Sequence, residues 1–392
     1  MTNYFILSGL ALCDNNRGTA ALGYGAFSFL KERGYIDGNS RMLKLMSSGR
    51  PFKVRTEAQK SGKSILKEIK VANDVYIEET VVIPWWQMAI HRIFGILLPC
   101  TKLSRTLKDL AFVAAINGGD GFSDIYNTAT FMMRLPETLW AMKRNVPVIL
   151  LPQKLGPFSE KANLDLAEKI LRYASAVFVR DNTYNSELDR LGIKYEETND
   201  LSYYMQPEKW DIQIDKENSI GINVSGLAYS NAFRSLAGQF AVYPELIDRL
   251  IVAFQKIGKT IYLIPHSYHF AKPEKNNDDI EACRAAYEKL VNKENVVLID
   301  KWDLTSPQTK YLISQMSFFC GTRMHANYAA IFTKVPVFGF AYSKKFIGAF
   351  ERNGIANRVV MINNIKDVEI DNIVNQVLNA YYEDVMTKGL SN

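Results

Sequence analysis

At 392 residues, with 47% hydrophobic and 22% charged residues, the chain is globular, too long for one ordinary core and sized for two domains. Its formal charge of +6 suits a small acidic substrate or an anionic membrane surface, and without a finger, RNP or basic-region motif nucleic acid is not expected as a partner. Four scattered cysteines (Cys13, Cys100, Cys283, Cys320) with no CxxC pair exclude a disulfide frame and a zinc site.

The N-terminal "MTNYFILSGL" has no basic head and reads as a strand, not a signal peptide. No run reaches the roughly 18–20 apolar residues that span a bilayer, so a cytoplasmic chain is expected. "YFILSGL" is followed by "GTAALGYGAFSFLKERG", which has helical spacing and a glycine stop. Residues 50–110 fit the strand–helix alternation badly: "KVRTEAQKSGKSILKEIKVAND" reads as a solvated helix. "IPWWQMAIHRIFGILLPCTKLSRTLK" combines paired tryptophans, an apolar body and trailing basic residues. It reads first as a helix packing a wide apolar face on the N-terminal domain. The sharper reading is peripheral contact with the inner face of the cytoplasmic membrane through residues 84–108.

The pairing then recurs at "AFVAAI" with "SDIYNTATFMMRLPETLWAMKRN", at "VPVIL" with "EKANLDLAEKILRYA", and at "AVFV" with "DNTYNSELDRLG". A polar stretch at 202–219 breaks it, and it restarts from "IGINVSG" through "TIYLIPH", "NVVLID", "SFFCG" and "VPVFGFAY". Alternation of this kind predicts two α/β Rossmann-like domains with parallel sheets, 1–205 and 206–392, the first carrying a poorly matched insertion at about 40–110 and the second a terminal helix. In such folds ligands bind beyond the carboxyl ends of the strands.

The residues of chemical interest sit at those ends. In "FFCGTRMHANYAA", Arg323 and His325 stand between a buried strand and a helix start, where unpaired N–H groups favour anions. Arginine adds a planar fork and histidine a proton near neutral pH. His266 ends "IYLIPH", and Lys345 opens the helix after "VFGFAYS". Arg180 follows "AVFV", with an ion pair to Asp181 or a neighbour as its bland alternative. "CDNNRGTAALGYG" and "NGGDGFSDIY" are Gly/Asn/Asp turns suited to close ligand approach, but neither is a P-loop or dinucleotide fingerprint. Asp120 and Asp124 are the carboxylates best placed to bind or activate a hydroxyl, with turn and helix-cap roles weighed equally.

In their order along the chain these pieces resemble the polysaccharide pyruvyl transferase family. The resemblance is carried by Asn16 and Gly18, Gly118–Gly119, Gly156–Pro157, Arg180–Asp181, Pro265–His266, Gly321–Arg323–His325 and Tyr342–Lys345, with "GTRMHANYAAIFTKVPVFGFAYSKK" as the best segment. It covers most of the chain except about 40–110, and the family's first-loop aspartate is Thr19 here. It implies a GT-B-like fold whose two sheets face an interdomain cleft. It also implies phosphoenolpyruvate as co-substrate, and the transfer scheme drawn from it needs no cofactor and no metal. The pyruvyl group would pass to two hydroxyls of a sugar, polyprenyl-diphosphate-linked in one version, giving a cyclic ketal in bacterial surface polysaccharide biosynthesis. Arg180, Arg323, His325, Lys345 and His266 would bind the donor. Catalysis would fall to His325, Arg323 and Asp120, and acceptor binding to Asn16, Gly18 and Asp124. A nucleotide-sugar-dependent GT-B glycosyltransferase is the rival; it needs a similar cationic site, but Glu351 is the only nearby acid for a ribose. A non-enzymatic sugar- or lipid-binding scaffold is the third reading.

Overall fold

The computed structural model describes residues 3–9, 12, 14–50, 54–269, 273–301 and 303–386. Cys13 lies outside them. The chain divides into two compact units, Met1–Ala11 with Leu22–Met205, and Leu12–Ala21 with Gln206–Asn392. The sequence boundary of 1–205 against 206–392 differs by the loop 12–21. That loop goes with the second unit because Arg17 donates from Nε to the Leu304 carbonyl and from its backbone N–H to the His266 carbonyl.

The first unit is built on eight strands: β1 (Tyr4–Ser8), β2 (Arg41–Ser47), β3 (Ile65–Val71), β4 (Asp74–Ile83), β5 (Leu110–Ala115), β6 (Val148–Gln153), β7 (Ala176–Val179) and β8 (Glu196–Glu197). Their order is β3-β4-β2-β1-β5-β6-β7-β8, parallel except for the antiparallel β3–β4 hairpin. Every residue of β6 is buried, as expected of a strand covered on both faces by crossover helices. Residues 40–83 are therefore not an insertion beside the sheet but three of its strands. The expected solvated helix shrinks to Glu57–Ser61, followed by β3. Ile69 and Val71 of β3 turn inward while its lysines face solvent, the usual protection of an edge strand. The single helix expected after β5 is two, Thr128–Met133 and Pro136–Lys143, because Pro136 starts a helix well and cannot continue one.

The second unit has six strands: β9 (Ser219–Asn223), β10 (Thr260–Leu263), β11 (Val296–Leu298), β12 (Phe318–Gly321), β13 (Val337–Ala341) and β14 (Val359–Met361). They lie in the order β11-β10-β9-β12-β13-β14, all parallel. From β9 the chain winds outward through β10 and β11, then returns to β12 on the opposite side of β9. The direction of winding thus reverses between β9 and β12, the switch point at which doubly wound sheets open a crevice for ligands. β9, β12 and β13 are buried throughout, so the loops at their carboxyl ends are anchored on rigid supports.

Candidate active site

At the switch point of the second unit, polar side chains tie three strand ends together. Asn223, the last residue of β9, donates from Nδ2 to the Ile264 carbonyl (2.9 Å) and accepts the Arg323 backbone N–H on Oδ1 (2.8 Å). Asp279 opens the helix Asp279–Lys289, where a negative group complements the helix dipole. Its carboxylate accepts the backbone N–H groups of Gly226 (2.8 Å), His266 (3.0 Å) and Ser267 (2.9 Å), and Asn223 Nδ2 at 3.3 Å. The same carboxylate takes the Arg323 fork, with Nε at 3.1 Å and Nη2 at 2.6 Å from Oδ1. Nη2 also donates to the Asn277 carbonyl (3.0 Å) and Oδ1 (2.8 Å). The two side chains of this ion pair are 9% and 0% exposed. Burial works to lower the guanidinium pKa, but the facing Asp279 outweighs it and raises the pKa above its ordinary value. Nη1 has no hydrogen-bond partner among the described residues, so its N–H groups are left for an anion although the fork itself is taken by Asp279.

The helix behind Arg323, Met324–Phe332, starts at the end of β12 because Gly321 leaves room for it. A Cβ there would sit 2.6 Å from the Asn327 side chain, whose Nδ2 donates to the Gly321 and Arg323 carbonyls. His325 lies in its first turn, edge-on to Tyr328 at 5.8 Å between ring centroids. It also packs against Gly18: a Cβ on Gly18 would fall 2.6 Å from the imidazole. Gly18 is held in turn by Asn16, whose Oδ1 accepts its N–H (2.9 Å) and whose backbone bridges to Ser267. His266 is buried with Nδ1 unpartnered among the described residues. Its pKa lies well below the usual histidine value, chiefly through burial and then through the nearby charges of His325, Arg17 and Arg323. Arg17, fully buried, stacks its guanidinium on Tyr268 at 3.8 Å and donates to the Asp14 and Asn15 carbonyls.

Five of the residues singled out in the sequence thus converge in the second unit: Asn16, Gly18, His266, Arg323 and His325. Lys345 is exposed in the first turn of Lys344–Arg352, after β13. The remaining three are in the first unit. Arg180 follows β7 and forms a buried ion pair with Asp200 at 2.6 Å, the neighbour of the bland alternative. A Cβ on Gly119 would lie 3.4 Å from Arg180 Nη1, which places the Gly-rich loop against this arginine. Asp120 accepts the Tyr126 hydroxyl (3.0 Å) and lies 3.9 Å from Arg134. Asp124 accepts the Ser159 and Glu160 N–H groups and Asn163 Nδ2 at 2.9–3.0 Å, pinning the loop that leads into the helix Lys161–Tyr173. Burial raises its pKa, but these hydrogen bonds prevail and leave it below the ordinary carboxylate value. Asp279, Asn223, Asn277 and Arg17 complete the site without having been read from the sequence. Arg17 and Asn223 lie inside "CDNNRGTAALGYG" and "IGINVSG" without having been singled out, and nothing in "NNDDI" marks Asn277 or Asp279.

Comparison with known proteins bears on the family and the fold. The chain is 20% identical over 279 residues to the amylovoran biosynthesis protein AmsJ of Erwinia amylovora, covering 68% of this chain and 65% of that protein, so it spans just under two thirds of that relative. Solved structures of UDP-GlcNAc 2-epimerase resemble it over 98% of its length. The Methanocaldococcus jannaschii enzyme has a TM-score of 0.54 at 12% identity with 93% of it covered, and the Neisseria meningitidis enzyme 0.53 at 13% with 94% covered. At such identities the likeness shows the fold alone, and that fold is the expected GT-B-like class with Rossmann-like α/β units. The description "polysaccharide pyruvyl transferase" matches residues 16–344 continuously, from Asn16 in the first loop through the loops after β10, β12 and β13, and the chain belongs to that family.

Proposed function

We propose that the chain transfers the pyruvyl group of phosphoenolpyruvate to two hydroxyls of one sugar, forming a cyclic ketal during bacterial surface polysaccharide biosynthesis. Family membership supports the class of reaction. The observation that carries the choice of donor is the Arg323 fork, aimed by Asp279 with Nη1 unpartnered among the described residues, beside His266 and His325. A compact donor with one carboxylate and one phosphate would be met by the Nη1 N–H groups and the helix start behind them, with Lys345 after β13 proposed as a further cation.

In the proposed sequence, His325 in its protonated form gives a proton to the methylene carbon of phosphoenolpyruvate, and C2 becomes electron-poor. The first sugar hydroxyl bonds to C2 and returns its proton to His325. The bond from C2 to the bridging oxygen then breaks, and its electron pair leaves with phosphate. The second hydroxyl bonds to C2, and its proton goes to the departing phosphate. Of the two hydroxyl protons, one is thus replaced on His325 and the other leaves on phosphate, so the imidazole is regenerated. Arg323 steadies the developing negative charge, and His266, kept neutral by burial, can accept a hydrogen bond from a hydroxyl.

The test is phosphate release from phosphoenolpyruvate by the purified full-length chain, across galactose-, glucose- and mannose-type acceptors. Release with at least one acceptor, reduced by roughly 100-fold or more in folded His325→Gln, is expected. No release with any acceptor, together with thermal stabilisation by a nucleotide sugar and none by phosphoenolpyruvate, would sink the proposal.

A further inference from the structure

We propose that the outward face of the helix Trp85–Phe94, with the basic segment that runs from it to Lys108, docks on an anionic lipid bilayer. A surface helix ordinarily turns apolar side chains inward and polar ones to water. This one reverses the arrangement. Gln87 and His91, one turn apart, are its buried residues: Gln87 Oε1 accepts the Leu103 N–H at 2.9 Å, and His91 packs edge-on to Trp140 at 5.5 Å. The other side presents Trp86 and, two turns on, Ile93, with Phe94 and Ile96 beyond; they are 41%, 70%, 67% and 52% exposed. Gln87 and His91, with Met88 packed on the core between them, anchor the helix to its own unit, and the apolar stripe on the other side has no cover among the described residues.

Charge selects the occupant. From Pro84 to Lys108 the sequence has four Lys or Arg residues and no Asp or Glu. Arg92, Arg105 and Lys108 are exposed. A second copy of this chain pairing through the same face would set that basic segment against itself, since a two-fold contact is self-complementary in position but not in charge. A bilayer rich in anionic lipid offers apolar depth to the stripe and negative headgroups to the basic residues. Tryptophan at one end of the stripe is the side chain that best suits the headgroup boundary. No helix among the described residues is long and apolar enough to cross a membrane, and this ten-residue helix would lie in the interface plane.

Flotation of the full chain with vesicles tests this directly. With phosphatidylcholine–phosphatidylglycerol vesicles at low salt the chain should float; with phosphatidylcholine alone, or at high salt, it should stay at the bottom. Ile93→Ser with Phe94→Ser should cut the bound fraction by about tenfold, and Arg92→Gln should weaken binding by about fivefold. Both replacements are on exposed side chains, so circular dichroism and phosphate release on a soluble acceptor should match the parent chain, which separates this proposal from the catalytic one. No flotation with the anionic vesicles overturns it, as does flotation that is indifferent to lipid charge or to the double replacement. So does a concentration-dependent dimer that the double replacement abolishes while no chain floats.

Discussion

Arg323 is aimed rather than free. Its Nε and Nη2 are committed to Asp279 and Asn277, so removing either member of the buried pair leaves the other charge stranded. Arg323→Ala and Asp279→Ala should each cost about 3–5 kcal/mol in urea unfolding. Loss of activity in Arg323→Ala would then report the fold as much as the chemistry. Arg323→Lys keeps the charge but loses the fork, and should release phosphate more slowly while remaining folded. Gly18→Ala makes a sharper test. The added methyl would lie 2.6 Å from the His325 ring, which must move, and turnover should drop by about 100-fold while stability falls by only about 1–3 kcal/mol, leaving the chain folded. These residues were legible because arginine, histidine and glycine are conspicuous just after an apolar run. Asp279 was not: an aspartate at a helix start looks the same in sequence whether it only caps or also gathers three loops.

The elements that position these side chains were read unevenly. Strands such as β6, β9, β12 and β13 are short, apolar and buried throughout, and such runs announce themselves. β3 did not, because an edge strand needs apolar residues on one face only, and lysines on the other gave it the look of a solvated helix. The inward-facing Ile69 and Val71 acquire meaning only once β4 is known to pair with them. Asp124 illustrates the same limit, since its partners Ser159, Glu160 and Asn163 are some 35 residues away. Asp124→Ala should cost about 1–3 kcal/mol by leaving those partly buried N–H groups unpaired, measured by chemical denaturation. A rise in KM for the sugar acceptor beyond what the lost stability explains would assign it acceptor binding as well.

Across the whole chain, two buried histidines, one in each unit, couple stability to pH. Burial is the main cause in both: it holds His91 at about 4 and His266 well below the ordinary value of 6.5. The unfolded chain therefore binds more protons than the folded one once pH drops below about 6.5, and stability falls with acid from there on. Each histidine should contribute a loss of about 1.4 kcal/mol per pH unit between 6.5 and its folded value. Thermal midpoints recorded from pH 7.5 down to 5 should decline, and His91→Phe should flatten the first unit's share, because a phenyl ring takes up no proton. Two Rossmann-like α/β units with ligand sites at strand ends were legible from alternation, since crossover connections leave a parallel sheet few ways to wind, whereas the GT-B-like class came from the family resemblance. The side chains that cross between loops were not, because their spacing in sequence follows no period. Asp279 shows what that costs an evolving protein. One pair of oxygens serves loops from three strands, so no loop can be lengthened or re-angled on its own without loosening its neighbours' grip. New acceptor preferences should therefore arise outside this knot, and changes within it should appear in matched sets.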